Sequence, residues 1–293
     1  MSFISTSNPF LRAVSRTVLP ERVRHTLGHI VCRANEWAAK RELARWRKYV
    51  STAGPDSVVN FAKYTVRIND GQNFYIVYKD VFMKRIYHFE AQRADPFILD
   101  CGSNIGMSLL YYKQEYPQAR IIGFEPDPVV FRYLRHNVQH NNLSDVQLVQ
   151  AAISGRVGNL AFHSDGKYAS YLAMDESMKV PDGWTQCEVP CVRLRDYLTQ
   201  PVDFLKINIE GAEWETIADS EDRLHLVKEM VIEYHHLPGL PRTLHSILDV
   251  LHRQGFEYLI NDFDSETNGG VHPPFKLMAD SSYFLLIYAK RMV

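Results

Sequence analysis

The 293-residue sequence has no apolar run near the ~18 to 20 residues that cross a bilayer. Its first thirty residues, MSFISTSNPFLRAVSRTVLPERVRHTLGHI, scatter arginine through the stretch and hold no continuous apolar segment. Neither a transmembrane span nor a secretory leader is expected. Cysteine is scarce, and Cys32, Cys101, Cys187 and Cys191 include no paired CxxC. That excludes a disulfide scaffold and a thiolate zinc site. It points to a reduced, cytoplasmic protein whose thiols are small buried apolar groups. Charge of one sign is also missing: the formal net charge is -1, so no global pull toward nucleic acid or acidic membranes is expected. The G-x-G-x-x-G fingerprint of dinucleotide sites does not occur.

What is present divides into three stretches. Residues 1–55 read as a helical extension. Val23, Leu27, Ile30, Val31, Ala34, Trp37 and Ala38 recur at helical spacing, and Lys40, Arg41, Arg45, Arg47 and Lys48 decorate the other face. That charged run is best read as a solvated face. Self-association, or weak membrane contact, through this helix stays open. Gly54-Pro55-Asp56 then ends it. Residues 56–95 read as a capping hairpin, YTVRI and FYIVY turning at Asn69-Asp70-Gly71.

From residue 96 to 293 strand and helix patterns alternate. Apolar strands are expected at 97–101, 120–126, 146–153, 203–211, 226–235, 255–262 and 282–291. Helices are expected at 105–115, 128–140, 212–219 and 242–254. Such alternation predicts a mostly parallel seven-stranded α/β sheet with helices on both faces. The last two strands have no obvious helix between them, so the C-terminal strand is expected to run antiparallel. Residues 155–195 are less regular and suggest an inserted hairpin and loop over the active face.

The first strand of that series runs into Asp100-Cys101-Gly102-Ser103-Asn104-Ile105-Gly106. Glycines there permit a tight turn and close approach of a ligand to the backbone. In a doubly wound sheet this loop lies at the switch point where ligands bind. The pattern is D-x-G-x-x-x-G. An acidic residue at the strand end would repel a pyrophosphate, but it suits the cationic amino-acid end of S-adenosylmethionine. Glu125 ends the next strand, 19 residues after Gly106, where a carboxylate can accept both ribose hydroxyls. Asp127 is either a further donor contact or the cap of a helix beginning at Pro128. Gln150 and Ala151 end the third strand, where adenine contacts are usual.

Three segments, FILDCGSNIGMSLLYYKQEYP, RIIGFEPDPVVFRYLRHNV and DFLKINIEGAEWETI, resemble the FkbM family of methyltransferases in order and spacing. The resemblance runs from about Tyr64 to Tyr288. It implies a Rossmann-like class I methyltransferase fold, S-adenosylmethionine as methyl donor, and O-methylation of a sugar, glycolipid or polyketide-like hydroxyl. On this reading Asp100, Gly102, Ser103, Asn104, Gly106, Glu125, Asp127, Ser170 and Asn208 hold the donor. The extension at 1–55 lies outside the resemblance.

On the acceptor side, an alcohol is a poor nucleophile and needs a base or a metal. Lys206, Asn208 and Glu210 alternate onto one face at the fourth strand's end, and Glu233-Tyr234-His235-His236 ends the fifth. His235 or Glu210 is read as the base, with Lys206 stabilising charge on the acceptor oxygen. The family usually carries Asp where this chain has Asn208. That removes a hard ligand, so a divalent metal held by Asn208, Glu233 and a neighbour is the less favoured reading. Glu213 could merely stabilise a helix start, and His163 and His236 could lack a role. Tyr168, Tyr171 and Trp184 could stack on an acceptor. Two other functions remain open: an NAD-type oxidoreductase, disfavoured by Asp100, and a non-catalytic scaffold, supported only by Asn208.

Overall fold

A computed structural model describes residues 43–166, 170–172, 180, 182–237, 241–262 and 282–292. The chain divides into two units, 1–52 and 53–293. In the first, residues 43–51 form a helix; residues 1–42 of the expected extension lie outside the described residues, as do Tyr168 and the Ser170 side chain. Among the described residues no helix is long and apolar enough to cross a membrane.

The second unit opens with a hairpin of β1 (Val58–Phe61) and β2 (Tyr64–Arg67). The turn is therefore at Ala62-Lys63, not at Asn69-Asp70-Gly71. Those three residues start helix α1 (Gly71–Tyr78), with the Asp70 side chain accepting from Asn73 N at 2.8 Å. The expected strand FYIVY is part of this helix. Phe74, Tyr78 and Phe82 recur every four residues, and all three rings meet Phe61 at 5.0 to 5.8 Å. An aromatic run that pairs well in a sheet here serves as one face of a helix. The helix continues as a π-helical turn over Lys79–Met83.

Next come β3 (Phe97–Cys101), α2 (Met107–Glu115), β4 (Arg120–Phe124), α3 (Pro128–His140) and β5 (Val146–Val149). Then follow β6 (Ala152–Ser154), β7 (Gly158–Ser164), β8 (Ser170–Leu172), β9 (Thr185–Arg193) and β10 (Val202–Ile207). The last elements are α4 (Glu213–Asp219), β11 (Val227–His236), α5 (Leu244–Arg253), β12 (Phe256–Asp262) and β13 (Tyr283–Arg291). A seven-stranded sheet has the order β12-β13-β11-β10-β3-β4-β5. Strand β13 is antiparallel to both neighbours, and the β11-β10-β3-β4-β5 pairings are parallel. The expected Rossmann-like α/β sheet with an antiparallel C-terminal strand is thus present. Its central strands β3 and β10 are covered on both faces, so every residue of each is buried, Asp100, Asp203 and Lys206 included.

The expected strand 146–153 is two strands. It breaks at Gln150-Ala151, and β6 leaves for a four-stranded sheet of order β6-β9-β7-β8. Two asparagines of α3 fix the hairpin to the core. Asn137 and Asn141 each accept from one backbone N–H of β2, at Arg67 and Thr65, and donate to the carbonyl of the same residue, at 2.8 to 3.0 Å. Side-chain amides here complete a strand edge.

Candidate active site

The chain leaves β3 toward β4 and β5 on one side and returns through β10 and β11 on the other. The carboxyl ends of β3 and β10 therefore flank the switch point. In this register Lys206 lies beside Asp100. A cleft of about 990 Å³, part of it open to solvent, lies over these strand ends.

The loop after β3 is locked from below. Gly102 has φ +86°, and a Cβ there would sit 1.8 Å from the Asn208 carbonyl oxygen, so only glycine fits. Gly102 N and Ser103 N both donate to Phe124 O, at 3.0 and 2.7 Å. Asp100 is fully buried: Oδ2 accepts from the Ser103 and Ser108 hydroxyls, and Oδ1 lies 3.1 Å from Lys206 Nζ. Lys206 also donates to Gly102 O and stands 5.4 Å over the Tyr87 ring. Asp100 is absent from the cleft wall; its charge is used inside the protein. Lys206 reaches the wall already neutralised, which counts against a free cation for the acceptor oxygen. Gly106, φ +95°, starts α2 below the wall.

Glu125 does line the cleft. Its Oε2 accepts from Asn104 N and its Oε1 from Asp127 N, both at 2.9 Å. Burial lifts its pKa to about 7 against these two bonds, helped by the nearby Asp127 charge. Asp127 is the helix cap: Oδ1 accepts from Val129 N and Val130 N, and Oδ2 from the Ser164 hydroxyl. With both oxygens engaged off the cleft wall, it has no lone donor-facing edge.

At the other rim, Asn208 donates its amide to Glu233 Oε2 at 2.8 Å, and the Tyr87 hydroxyl donates to Glu233 Oε1. The acceptor-only carboxylate fixes which end of the amide faces it. Asn208 Oδ1 is then buried with no hydrogen-bond partner among the described residues. Among those residues no three His, Cys, Asp or Glu side chains converge as a metal-ligand set. Glu210, φ +54°, turns a 28% exposed carboxylate to the cleft. Burial lifts its pKa to about 7, with the His235 charge pulling the other way.

His235 is buried and does not line the cleft. Its Nδ1 lies 2.9 Å from Glu213 Oε1 and its Nε2 3.5 Å from Glu210 Oε2. Burial opposes its charge, but Glu210 and Glu213 outweigh burial and raise its pKa to about 10. A cationic imidazole has no lone pair to take a proton, which counts against His235 as the base. His163 is buried against Tyr171 at 5.1 Å, and Tyr171 packs in turn on Trp184 at 5.5 Å. His236 is buried beside Tyr283, off the wall.

Sequence reasoning missed the third wall. Val77, Asp80, Val81, Ile86 and Tyr87 line the cleft from α1 and the segment after it. The four-residue aromatic spacing could have revealed the helix; Tyr87 lies in irregular chain with no pattern to mark it. Ala151, Ile153, Phe162 and Leu172 add an apolar part to the lining. Asp80, Glu125, Glu210 and Glu233 line the cleft against one paired lysine. Such a surface suits a cationic ligand with an apolar ring system, and it repels a pyrophosphate.

Comparison with known proteins gives the family. The model of the methyltransferase FkbM domain matches residues 100–258. Methyltransferase sdnD of Sordaria araneosa is 29% identical over 205 residues, 59% of this chain and 79% of that protein. The 31-O-demethyl-FK506 methyltransferase FkbM of Streptomyces tacrolimicus is 28% identical over 222 residues, 64% and 84% of the two chains. The 2-O-methyltransferase NoeI of Sinorhizobium fredii is 29% identical over 199 residues, 61% and 79%.

Proposed function

Because this chain belongs to the FkbM family of methyltransferases, we propose that it moves a methyl group from S-adenosylmethionine to a hydroxyl of a sugar, glycolipid or polyketide-like acceptor. The observation that carries the donor assignment is the acidic cleft at the switch point, with Glu125 held on its wall by two backbone N–H groups. The bound donor would supply a methyl carbon made electrophilic by positive sulfur.

Glu125 would accept the ribose hydroxyls, as its place at the end of β4 suits. Asn208 Oδ1, buried and unpaired among the described residues, is an acceptor for the donor's ammonium N–H. The Gly102–Asn104 backbone lets the ligand approach closely. Ala151, Ile153, Phe162 and Leu172 would cover the adenine. Asp100 acts one step back, fixing Ser103, Ser108 and Lys206 so that the loop keeps its shape. Glu210 would take the hydroxyl proton as the oxygen attacks; a base whose pKa lies near the working pH is best matched to that task. The aliphatic and aromatic wall of Val77, Ile86 and Tyr87 borders the acceptor side, where a sugar face or apolar scaffold would pack.

Calorimetry tests the donor assignment: S-adenosylmethionine and S-adenosylhomocysteine bind and NAD does not displace them. Displacement by NAD with no binding of either nucleoside would overturn it. The acceptor is tested by mass spectrometry of glycolipids and metabolites incubated with the protein and S-adenosylmethionine. A gain of one methyl on a hydroxyl is expected; methyl on nitrogen or carbon alone would refute O-methylation.

A further inference from the structure

We infer that Glu213, His235 and Glu210 form a carboxylate–imidazolium–carboxylate relay, in which Glu213 is a positioning residue that keeps His235 charged and His235 in turn holds Glu210 ready to receive the acceptor's proton. The inference rests on the methyl-transfer reading of the cleft given above.

The geometry begins with the backbone. Glu210 and Gly211 both have positive φ, +54° and +104°. A glutamate in the left-handed region is uncommon and costs about 1 kcal/mol or more, so the surrounding structure must hold it there. The double turn sends the Glu210 carboxylate to the cleft and folds the chain back onto Glu213. Both oxygens of Glu213 accept from Gly211 N, at 3.1 and 3.0 Å, and the side chain is 1% exposed. Glu213 is thereby fixed with Oε1 toward His235 Nδ1 at 2.9 Å. The imidazole edge-packs on Phe284 at 5.1 Å, which fixes the ring plane. Its second nitrogen then points at Glu210.

A neutral imidazole has one N–H, so it can donate to only one of two ionised carboxylates. With an ionised carboxylate at each nitrogen, the imidazolium alone satisfies both. Glu213 is too buried to lose its partner cheaply, which ties the ring's charge to it. Of the three, Glu210 lines the cleft and Glu213 and His235 do not. On attack the acceptor oxygen forms the new C–O bond. The S–CH3 bond breaks with its electron pair left on sulfur, and the hydroxyl proton passes to Glu210. Sulfonium plus carboxylate become thioether plus carboxylic acid, so charge balances, and no other reactant is needed.

Every charged neighbour must be counted in a pH argument. Glu210 faces His235 and Glu233 of β11, Glu213 of α4 and Lys206 of β10. His235 faces Glu210, Glu213 and Glu233, and β13 packs Phe284 against it. Lys206 is already paired with Asp100. The His235 charge is therefore the adjustable cation beside Glu210.

The test uses the full chain and two measurements. Histidine imidazole NMR, with His235→Gln to assign the signal, reads the ring's charge between about pH 6 and pH 9. Calorimetry over the same range reads the affinity ratio of S-adenosylmethionine to S-adenosylhomocysteine, which differ by the sulfonium charge. In the wild type His235 stays cationic beyond pH 8, and the ratio rises as Glu210 ionises near pH 7. Glu213→Gln should bring the His235 midpoint down into the observed range and move the ratio's inflection up by about one pH unit or more. Glu210→Gln should shrink the inflection, Glu125, also near 7, supplying what remains. A merely structural Glu213 would leave the inflection in place, and that result overturns the relay, as does a neutral His235 at pH 7 in the wild type. Should Glu213→Gln fail to fold, the wild type and Glu210→Gln decide. If neither nucleoside binds while His235 remains cationic, the donor reading falls and takes the relay's catalytic role with it.

Discussion

The two rims of the cleft hold their polar groups differently. At the β3–β4 rim, the Gly102–Gly106 loop hangs on Phe124 O, Asp100 and Glu125, and each of those groups is engaged by neighbours. At the β10–β11 rim, Glu210 is backbone-strained, Asn208 Oδ1 is buried without a partner among the described residues, and two carboxylates stand at raised pKa. A satisfied loop has one shape before ligand arrives, which is what a binding rim needs. An unsatisfied, strained rim holds groups whose charge can change, which is what a proton-transferring rim needs. On the proposed reading, the first rim holds most of the donor, Asn208 of the second meets its ammonium end, and the second rim carries the proton transfer.

The harshest way to break this comparison is to damage the satisfied rim. Gly102→Ala places a methyl group 1.8 Å from the Asn208 carbonyl and in a left-handed backbone. It should destabilise the fold by more than about 4 kcal/mol, read as a lower urea midpoint, and abolish donor binding. A folded variant with wild-type donor affinity would show that the loop is not fixed as described. Glu125→Ala is next. It leaves Asn104 N and Asp127 N without their acceptor and removes the ribose contact, so donor affinity should fall by about 100-fold or more. Unchanged affinity by calorimetry would remove Glu125 from the donor site.

Both rims carry a pH signature, and it sharpens the contrast. Glu125 and Glu210 each rise from 4.5 to about 7 on folding, with burial the largest cause. A carboxyl with a raised folded pKa contributes stability that is complete below its unfolded value and is lost as pH rises through the folded one. The apoprotein should therefore lose stability between about pH 4.5 and 7, by up to about 3 kcal/mol per group at most. Glu125→Gln and Glu210→Gln should each flatten that fall in denaturant melts. His235 has the opposite partner logic and a much higher window, its contribution being present below 6.5 and lost through about 10. A melt midpoint that climbs steadily from pH 4.5 to 7 would contradict both carboxyl assignments.

How much of this could be read in the sequence follows the same division. The β3–loop–α2 unit was legible because its signals are local: an apolar run, two glycines at fixed spacing, a helix. The mostly parallel sheet and the antiparallel β13 followed from alternation and from the missing helix before the last strand. Roles that depend on partners from distant chain were not legible. Asp100 reads as a ligand contact until Ser108 and Lys206 are seen around it. His235 reads as a base until Glu213 and Glu210 are seen at its two nitrogens. FYIVY reads as a strand because aromatic and branched residues favour sheets, and only Asp70's cap and the packing on Phe61 decide for helix. Tyr87 carries no local signal at all, yet it supplies a hydrogen bond to Glu233.

The smallest expected effect is also the finest test of what a carboxylate next to the donor rim is for. Asp127 sits two residues from Glu125, but its Oδ1 bonds Val129 N and Val130 N and its Oδ2 bonds Ser164. Asparagine keeps an oxygen for the helix start and a polar atom for the serine, so Asp127→Asn should cost less than about 1 kcal/mol of stability and leave donor affinity within about twofold. Asp127→Ala loses the cap and strands a buried hydroxyl, and should cost about 1 to 2 kcal/mol, still without a specific loss of donor affinity once the variant is folded. If instead Asp127→Asn weakened the donor as severely as Glu125→Ala while the melt stayed unchanged, the charge of Asp127 would be felt by the ligand. The satisfied rim would then hold its donor through two carboxylates rather than one.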